Sequence, residues 1–316
     1  MYEAFYGLVE KPFSLTPNPR YVFYSERYRS ALDHLLYGLH EKEGFMLLTG
    51  MVGTGKTTLC RELLANLDRE RYRTALIFNP FLNGTEMLQA LLTEFGCSYP
   101  PGATKKELLD RLNRFLLSQL IEGKTCVAIF DEAQHLSAEF LEQIRVLSNL
   151  ETDKEKLVQI LLVGQPELRE RIQQPSLAQL DQRVSLRCTL SDLNRQETER
   201  YIHHRLNVAG AQGRIQFTSR AMARIHEESR GVPRLISLIT DRALLAGYVA
   251  QAMKLGAVHV EQGLASLRGE AGEAKTTRRL LARTRGWLRS FALTITAVSL
   301  LAGIGVVAAW YAGGIR

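Results

Sequence analysis

The stretch Gly50-Met51-Val52-Gly53-Thr54-Gly55-Lys56-Thr57 follows an apolar run, Phe45 to Thr49, and leads into an amphipathic segment ending near Leu67. It matches the pattern GxxxxGK[ST] of a phosphate loop, the Walker A motif. Glycines let successive backbone N–H groups turn inward around phosphate oxygens, and the helix that follows adds partial positive charge there. The stretch therefore predicts a buried strand, a phosphate-binding turn and a helix, in that order.

The expected ligands of this loop are ATP and Mg²⁺. We expect Lys56 to reach the β- and γ-phosphates and to take part in catalysis, and the Thr57 hydroxyl to ligate Mg²⁺. The nucleotide-binding residues predicted from the motif are Gly50, Met51, Val52, Gly53, Thr54, Gly55, Lys56, Thr57 and Thr58.

An acidic pair supplies a second element of the site. Asp131 and Glu132 directly follow the apolar run Val127 to Phe130, at the end of a strand where α/β sheets bind ligands. Asp131 suits the Mg²⁺ shell, generally through water, and Glu132 suits the general base that polarises the attacking water. Such a pair alone could simply cap a helix. Its combination with a phosphate loop favours the catalytic interpretation.

A third apolar run, Leu157 to Val163, ends in Gly164 and Gln165. The Gln165 amide could position the water or contact the γ-phosphate. Alone, a glutamine here is more often an ordinary loop residue.

The arrangement of apolar runs predicts an α/β fold with a five-stranded parallel sheet. Continuous rather than alternating apolar runs are typical of strands buried on both faces, and helices between them cover those faces. From residue 193 to 267 helical periodicity replaces the strand pattern, and no strand is predicted. The predicted strands are 45–49, 74–78, 126–130, 158–163 and 184–190, and helices are predicted near 27–40, 55–67, 86–95 and 105–121.

Positive charge is concentrated in the last part of the chain. The net charge is +7, but the residues from Arg268 onward carry +6, which leaves +1 for residues 1–267. Composition therefore gives no support to a nucleic-acid-binding surface on the globular part.

Residues 291–312 contain no charged side chain. At 1.5 Å per residue they are long enough to cross a bilayer core of about 30 Å. Six cations lie between Lys275 and Arg289, which by the positive-inside rule predicts a cytoplasmic N-terminal part and a single transmembrane helix. A buried apolar helix is the alternative. Either the six cations have the sole role of setting this orientation in the membrane, or they also bind anionic lipid.

With these residues in place, the chain resembles AAA+ ATPases, more narrowly the ExeA/GspA type of general secretion pathway ATPase with its MshM-like and exopolysaccharide-associated short relatives. The resemblance covers roughly residues 1–265. Its motifs are Tyr2 to Gly7 (YEAFYG), Pro12 to Pro17 (PFSLTP), the phosphate loop, Asp131 to His135 (DEAQH), Val163 to Leu168 (VGQPEL) and Gly231 to Arg234 (GVPR).

The resemblance implies further roles. Gln165 falls at the sensor-1 position, and Arg234 at the sensor-2 position on a helical lid, from which it would reach the γ-phosphate. Arg183 looks like an arginine finger supplied to a neighbouring subunit, with Arg187 as the competing candidate. The implied organisation is an N-terminal lead-in and helix (1–40), a nucleotide-binding AAA+ core (41–192), a helical lid (193–267), a basic linker (268–290) and the transmembrane helix (291–312).

The resemblance also implies a function and a location. We expect an ATPase of the bacterial inner membrane, anchored by a single span with its ATPase part in the cytoplasm. It would form a homo-oligomer that serves an envelope secretion, pilus or polysaccharide export system. Relatives of this type continue into a peptidoglycan-binding region, and no such domain is expected in this chain.

Two other functions stay open at this point. One is a nucleic-acid-dependent helper ATPase resembling transposition ATPases, although no nucleic-acid partner is expected from the charge distribution. The other is a module that binds ATP without turnover, against which the presence of Glu132 argues.

Overall fold

A computed structural model describes residues 1–78, 82–152 and 155–269 of the chain. Its strands are β1 Phe45–Gly50, β2 Tyr72–Ile77, β3 Thr125–Phe130, β4 Val158–Gly164, β5 Leu186–Leu190, β6 Gln216–Phe217 and β7 Lys254–Leu255. Its α-helices are α1 Tyr2–Tyr6, α2 Glu26–His40, α3 Lys56–Asn66, α4 Gly84–Glu94, α5 Lys105–Ile121, α6 Ala138–Leu147, α7 Pro166–Ile172, α8 Ala178–Asp181, α9 Arg195–Val208, α10 Ser219–Ser229, α11 Pro233–Val249 and α12 Ala257–Leu267.

The five predicted strands form one parallel sheet in the order β2-β3-β4-β1-β5. In this register Thr49 lies opposite Gly164 of β4, and Gly50 lies opposite Leu190 of β5. The carboxyl ends of the strands therefore meet at one edge of the sheet. The prediction of an α/β fold with a five-stranded parallel sheet is confirmed.

Both faces of the sheet are covered by helices. In β1, Phe45 and Leu47 pack into the hydrophobic cluster that includes residues of α4, α5 and α6. Met46 and Leu48 point the other way and join the cluster formed with α2 and α3. Because successive side chains of a strand alternate between faces, a strand covered on both sides needs an apolar residue at every position. This is the physical reason for its unbroken apolar sequence.

The helices α9 to α12 pack around a third hydrophobic cluster, and the start of the chain belongs to it. Tyr2, Tyr6, Phe13 and Tyr21 are all buried in this cluster. Tyr6 is fully buried, and its hydroxyl lies within hydrogen-bond distance of the carbonyl oxygens of Leu244 (3.2 Å) and Ala252 (3.1 Å), either of which can accept its proton. The first 21 residues therefore pack against α9 to α12, which we call the lid after their predicted role, although α2, which follows them, packs against the sheet. The predicted domain boundaries stay predictions.

Two features of the N-terminal and lid regions differ from the sequence prediction. A short parallel pair, β6 with β7, lies in the region where no strand was predicted. Each of these strands has two residues, too few for the alternation that marks a strand in sequence. Residues 2–6, predicted as part of an extended lead-in, form the helix α1, which ends in a left-handed residue, Gly7.

Within the described residues, no helix is both long and apolar enough to cross a membrane. The predicted span at 291–312 lies outside the described residues, as does the predicted linker from residue 270 onward.

The packing of the N-terminal segment makes a measurable prediction. Tyr6→Ala should lower the free energy of unfolding by about 3–5 kcal/mol, because it removes a fully buried aromatic ring from the lid cluster. Urea denaturation followed by circular dichroism measures this change. The control is Val9→Ala, three residues away, whose side chain is 87% exposed and should have little effect. Equal effects of the two substitutions would contradict the packing described here.

Candidate functional site

The phosphate loop connects β1 to α3 with backbone geometry that its glycines allow. Gly53 has φ +83°, in the left-handed region that side chains disfavour. A Cβ added there would lie 2.9 Å from the Cβ of Arg234, so the lid approaches the loop at this residue. The N–H of Arg234 donates to the carbonyl oxygen of Gly53 (3.3 Å). A glycine at position 53 therefore serves both the turn and the contact with α11.

The ammonium group of Lys56 lies inside the loop. Its Nζ donates to the carbonyl oxygens of Gly50 (2.8 Å) and Met51 (3.1 Å). Burial lowers the pKa of this ammonium, and the nearby carboxylates of Glu132 and Asp131 act in the opposite direction. A cation is therefore held where the phosphates of a nucleotide would bind.

Thr57 and Asp131 are in direct contact. The Thr57 hydroxyl donates to Oδ2 of Asp131 (2.6 Å), and Oδ1 of the same carboxylate accepts from the N–H of Glu132 (2.9 Å). Asp131 is only 2% exposed. A hydroxyl and a carboxylate are hard oxygen donors of the kind that Mg²⁺ prefers, and Mg²⁺ commonly takes its remaining ligands from phosphates and water. This pair therefore fits the predicted Mg²⁺ site.

Glu132 has an unusual backbone conformation. Its φ is +54°, in the left-handed region that is uncommon for residues other than glycine and that concentrates at functional sites. The side chain lines the same cavity as Lys56 and Thr57, and its Oε2 accepts a hydrogen bond from Nε2 of Gln134 (2.6 Å). Gln165, at the start of α7, also lines this cavity. Four of the five predicted catalytic residues, including Arg234, thus surround one cavity.

The cavity has a volume of about 360 Å³ and a wall that the sequence did not predict. The wall includes residues 14–18 of the N-terminal segment and the side chains of Tyr28 and Tyr201. The buried Tyr28 hydroxyl has no hydrogen-bond partner in the described part of the chain, and burial raises the pKa of this phenol. The sequence predicted this segment only as a lead-in, and nothing in it indicated a place in the cavity wall.

Arg205 of α9 holds the N-terminal segment against the lid. Its guanidinium donates to the carbonyl oxygens of Pro12 (2.6 Å) and Ser14 (3.2 Å) and to the Tyr201 hydroxyl (2.8 Å). It also lies 4.9 Å from the centre of the Tyr21 ring, within cation–π range. The sequence did not indicate this role, because Pro12, Ser14 and Tyr21 lie more than 180 positions earlier in the chain.

The two candidate arginine fingers lie outside the cavity wall. Arg187 forms an ion pair with Asp181 (2.9 Å) and donates to its carbonyl oxygen as well. Arg183 lies between α8 and β5, where it donates to the Ser148 hydroxyl (3.2 Å) and is partly exposed. Neither guanidinium contributes to the cavity of its own chain.

Comparisons with known proteins agree with this geometry. Residues 39–172 match the family described as AAA domain. The chain is 47% identical over 266 residues to general secretion pathway protein A of Aeromonas hydrophila, and the match covers 84% of this chain and 48% of that protein. The chain thus spans about half the length of this curated relative.

Solved structures share the fold at low identity. Drosophila ORC bound to DNA has a TM-score of 0.64 at 16% identity, covering 84% of this chain and 65% of that chain. Cdc6p from Pyrobaculum aerophilum has a TM-score of 0.62 at 18% identity, covering 78% of this chain and 68% of that chain. At these identities the likeness shows the fold alone. The AAA domain match and the 47% identity to general secretion pathway protein A identify the chain as an AAA-domain protein of the general secretion pathway protein A type.

Proposed function

We propose that the chain binds ATP with Mg²⁺ at residues 50–58 and hydrolyses it with Glu132 as general base. The observation that carries this proposal is that Lys56, Thr57 and Glu132 line one cavity and that Asp131 accepts a hydrogen bond from the Thr57 hydroxyl. These residues come from two separate segments of the chain, each of which follows a strand of the sheet.

Each predicted site residue beside the phosphate loop has a role toward the triphosphate, the Mg²⁺ ion or the attacking water. Lys56 would exchange its bonds to loop carbonyl oxygens for bonds to phosphate oxygens. Mg²⁺, held by Thr57 and Asp131 with phosphate oxygens, would neutralise charge that develops on the phosphates. Glu132 would accept a proton from the attacking water, and the Gln165 amide would orient that water or contact the γ-phosphate.

The cavity wall also offers surface for a nucleoside. It includes the aromatic residues Phe23, Tyr28 and Tyr201. Because Arg205 links the N-terminal segment to α9, a nucleotide in the cavity would contact both the core and the lid.

An arginine finger would come from a second copy of the chain in a homo-oligomer. Arg183 is the better candidate because its guanidinium donates to a neutral hydroxyl, whereas Arg187 is paired with a carboxylate. A guanidinium placed against the transferred phosphate contributes about 10³–10⁵ in rate.

The biological role that we propose is to drive or regulate the assembly of a bacterial envelope secretion machine, from the inner membrane and with the ATPase part in the cytoplasm. The identity to general secretion pathway protein A supports a secretion role, and the apolar residues 291–312 support membrane anchoring. Pilus or polysaccharide export are the related possibilities. The alternative, a nucleic-acid-dependent helper ATPase, would be recognised by stimulation with duplex DNA that fades steeply as salt rises.

Lys56→Ala should abolish ATP binding, because it removes the cation at the centre of the loop. Titration calorimetry of the purified protein with ATP and Mg²⁺ measures this. Lys124→Ala, which removes a lysine outside the cavity wall, serves as control. Full affinity in Lys56→Ala would exclude the loop as the phosphate site.

Glu132→Gln should bind ATP as the wild type does and lose turnover by about 10²–10⁴-fold, because an amide cannot act as the base. Phosphate release measures turnover, and calorimetry measures binding. Wild-type turnover in this variant would exclude Glu132 as the base and contradict the proposed mechanism.

Arg183→Ala should bind ATP but turn it over slowly. Mixing it with Glu132→Gln subunits should restore part of the activity, because one chain then supplies the finger and the other supplies the base. The same mixing with Arg187→Ala in place of Arg183→Ala compares the two candidates. A mixture with Arg183→Ala that gains no activity speaks against a finger in trans at this position.

A further inference from the structure

The side chain of Gln134 lies between Glu132 and the loop that follows β4. Its Nε2 donates to Oε2 of Glu132 (2.6 Å), and its Oε1 accepts from the backbone N–H of Gln165 (3.1 Å). Gln134 is not part of the cavity wall, whereas both of its partners are. One amide group therefore links two polar residues of the cavity wall.

The chemistry of its partners determines how this amide is oriented. A backbone N–H can only donate, so the carbonyl oxygen of the amide must face Gln165. An ionised carboxylate can only accept, so the NH₂ group must face Glu132. These two hydrogen bonds form a bridge from Glu132 through Gln134 to Gln165. The bridge requires a side chain that has both a donor and an acceptor at its end. Glutamate and leucine at this position each lack at least one of these functions.

The surroundings of Gln134 hold it in place. The guanidinium of Arg171 on α7 donates to the backbone carbonyl oxygen of Gln134 (2.7 Å). Gly164 leaves room for the amide, since a Cβ added there would lie 2.9 Å from Oε1 of Gln134 and 2.7 Å from Cδ2 of Leu168. Glu132, with its left-handed backbone, has its carboxylate fixed by this bridge.

We propose that Gln134 is a positioning residue that holds the Glu132 carboxylate in its catalytic orientation and couples it to the Gln165 loop. The amide does not line the cavity. It acts through Glu132 at one end and through the start of α7 at the other, so a displacement of the loop after β4 displaces the carboxylate as well. This inference rests on the proposed function in one respect, the role of Glu132 as base.

Kinetics test the end of the bridge that donates to Glu132. Gln134→Leu and Gln134→Glu should both lower kcat by about 10- to 100-fold, because a general base displaced by about 1 Å loses rate on that scale. Neither should change the Kd for ATP with Mg²⁺, since Gln134 does not line the cavity. The matched control is Gln262→Glu: Gln262 is exposed on α12 and outside the cavity wall, and its substitution should leave kcat unchanged.

Hydrogen exchange tests the end that accepts from Gln165, and it does not depend on turnover. In the full chain, the Gln165 amide should exchange faster in Gln134→Leu than in the wild type. In Gln134→Glu it should stay protected, because a carboxylate oxygen still accepts the bond. Mass spectrometry of a peptide that contains Gln165 measures this difference.

The outcomes separate the inference from the proposed function. Reduced kcat in both variants, with unchanged ATP affinity and faster exchange in Gln134→Leu alone, supports the coupling role. Wild-type kcat in both variants overturns it, as does a loss confined to ATP affinity or unchanged exchange at Gln165 in Gln134→Leu. Wild-type turnover in Glu132→Gln would instead overturn the proposed base, while the exchange result would still decide whether Gln134 holds the Gln165 loop.

Discussion

The hydrogen bond from the Thr57 hydroxyl to the Asp131 carboxylate joins residues that are 74 positions apart in the chain and follow strands that are not neighbours. Thr57 follows β1, Asp131 follows β3, and β4 lies between these strands. The bond can form because parallel strands bring all their carboxyl ends to one edge of the sheet. Asp131 is buried, so losing this partner would leave a desolvated carboxylate at a cost of about 1–3 kcal/mol. The rest of the site is arranged around this pair.

The strand between them supplies the third part of the site. β4 ends at Gly164, directly beside Thr49 at the end of β1, and the chain then turns into α7 through Gln165. The amide of Gln134 fills the space between this turn and Glu132. The loops that follow β3 and β4 are therefore linked to each other by hydrogen bonds in addition to the pairing of the strands, and a shift in one loop affects the other.

The lid contacts the site at two places. Arg234, in the first turn of α11, contacts the phosphate loop at Gly53, and Arg205 of α9 holds the N-terminal segment, whose residues 14–18 form part of the cavity wall. Because Tyr2, Tyr6 and Phe13 pack into the hydrophobic cluster of the lid, this wall is anchored to the lid and not to the sheet. A movement of the lid against the core would thus change the width of the cavity. Binding of a nucleotide in the cavity would therefore be coupled to the position of the lid.

Much of the core could be predicted because its hydrophobic patterns and motifs each lie within a short stretch of sequence. The helix predicted at 105–121 coincides with α5, and the strand predicted at 126–130 differs from β3 by one residue. The phosphate loop and the acidic pair were also predictable, since each consists of consecutive residues. The helix α1, the pair β6–β7, the Tyr28 hydroxyl and the Arg205 contacts were not predicted. The short elements contain too few residues to show the hydrophobic periodicity of a helix or a strand. The environments of Tyr28 and Arg205 depend on segments that are far apart in the chain.

The sequence by itself determined the α/β core, the phosphate loop and the two carboxylates, because periodicity and contiguous motifs depend only on neighbouring residues. Only the tertiary structure decided that the N-terminal segment is a wall of the cavity and that Gln134 connects Glu132 to Gln165. Both depend on side chains that meet across the fold, where distance and hydrogen-bond direction, and not spacing in the chain, determine which groups interact.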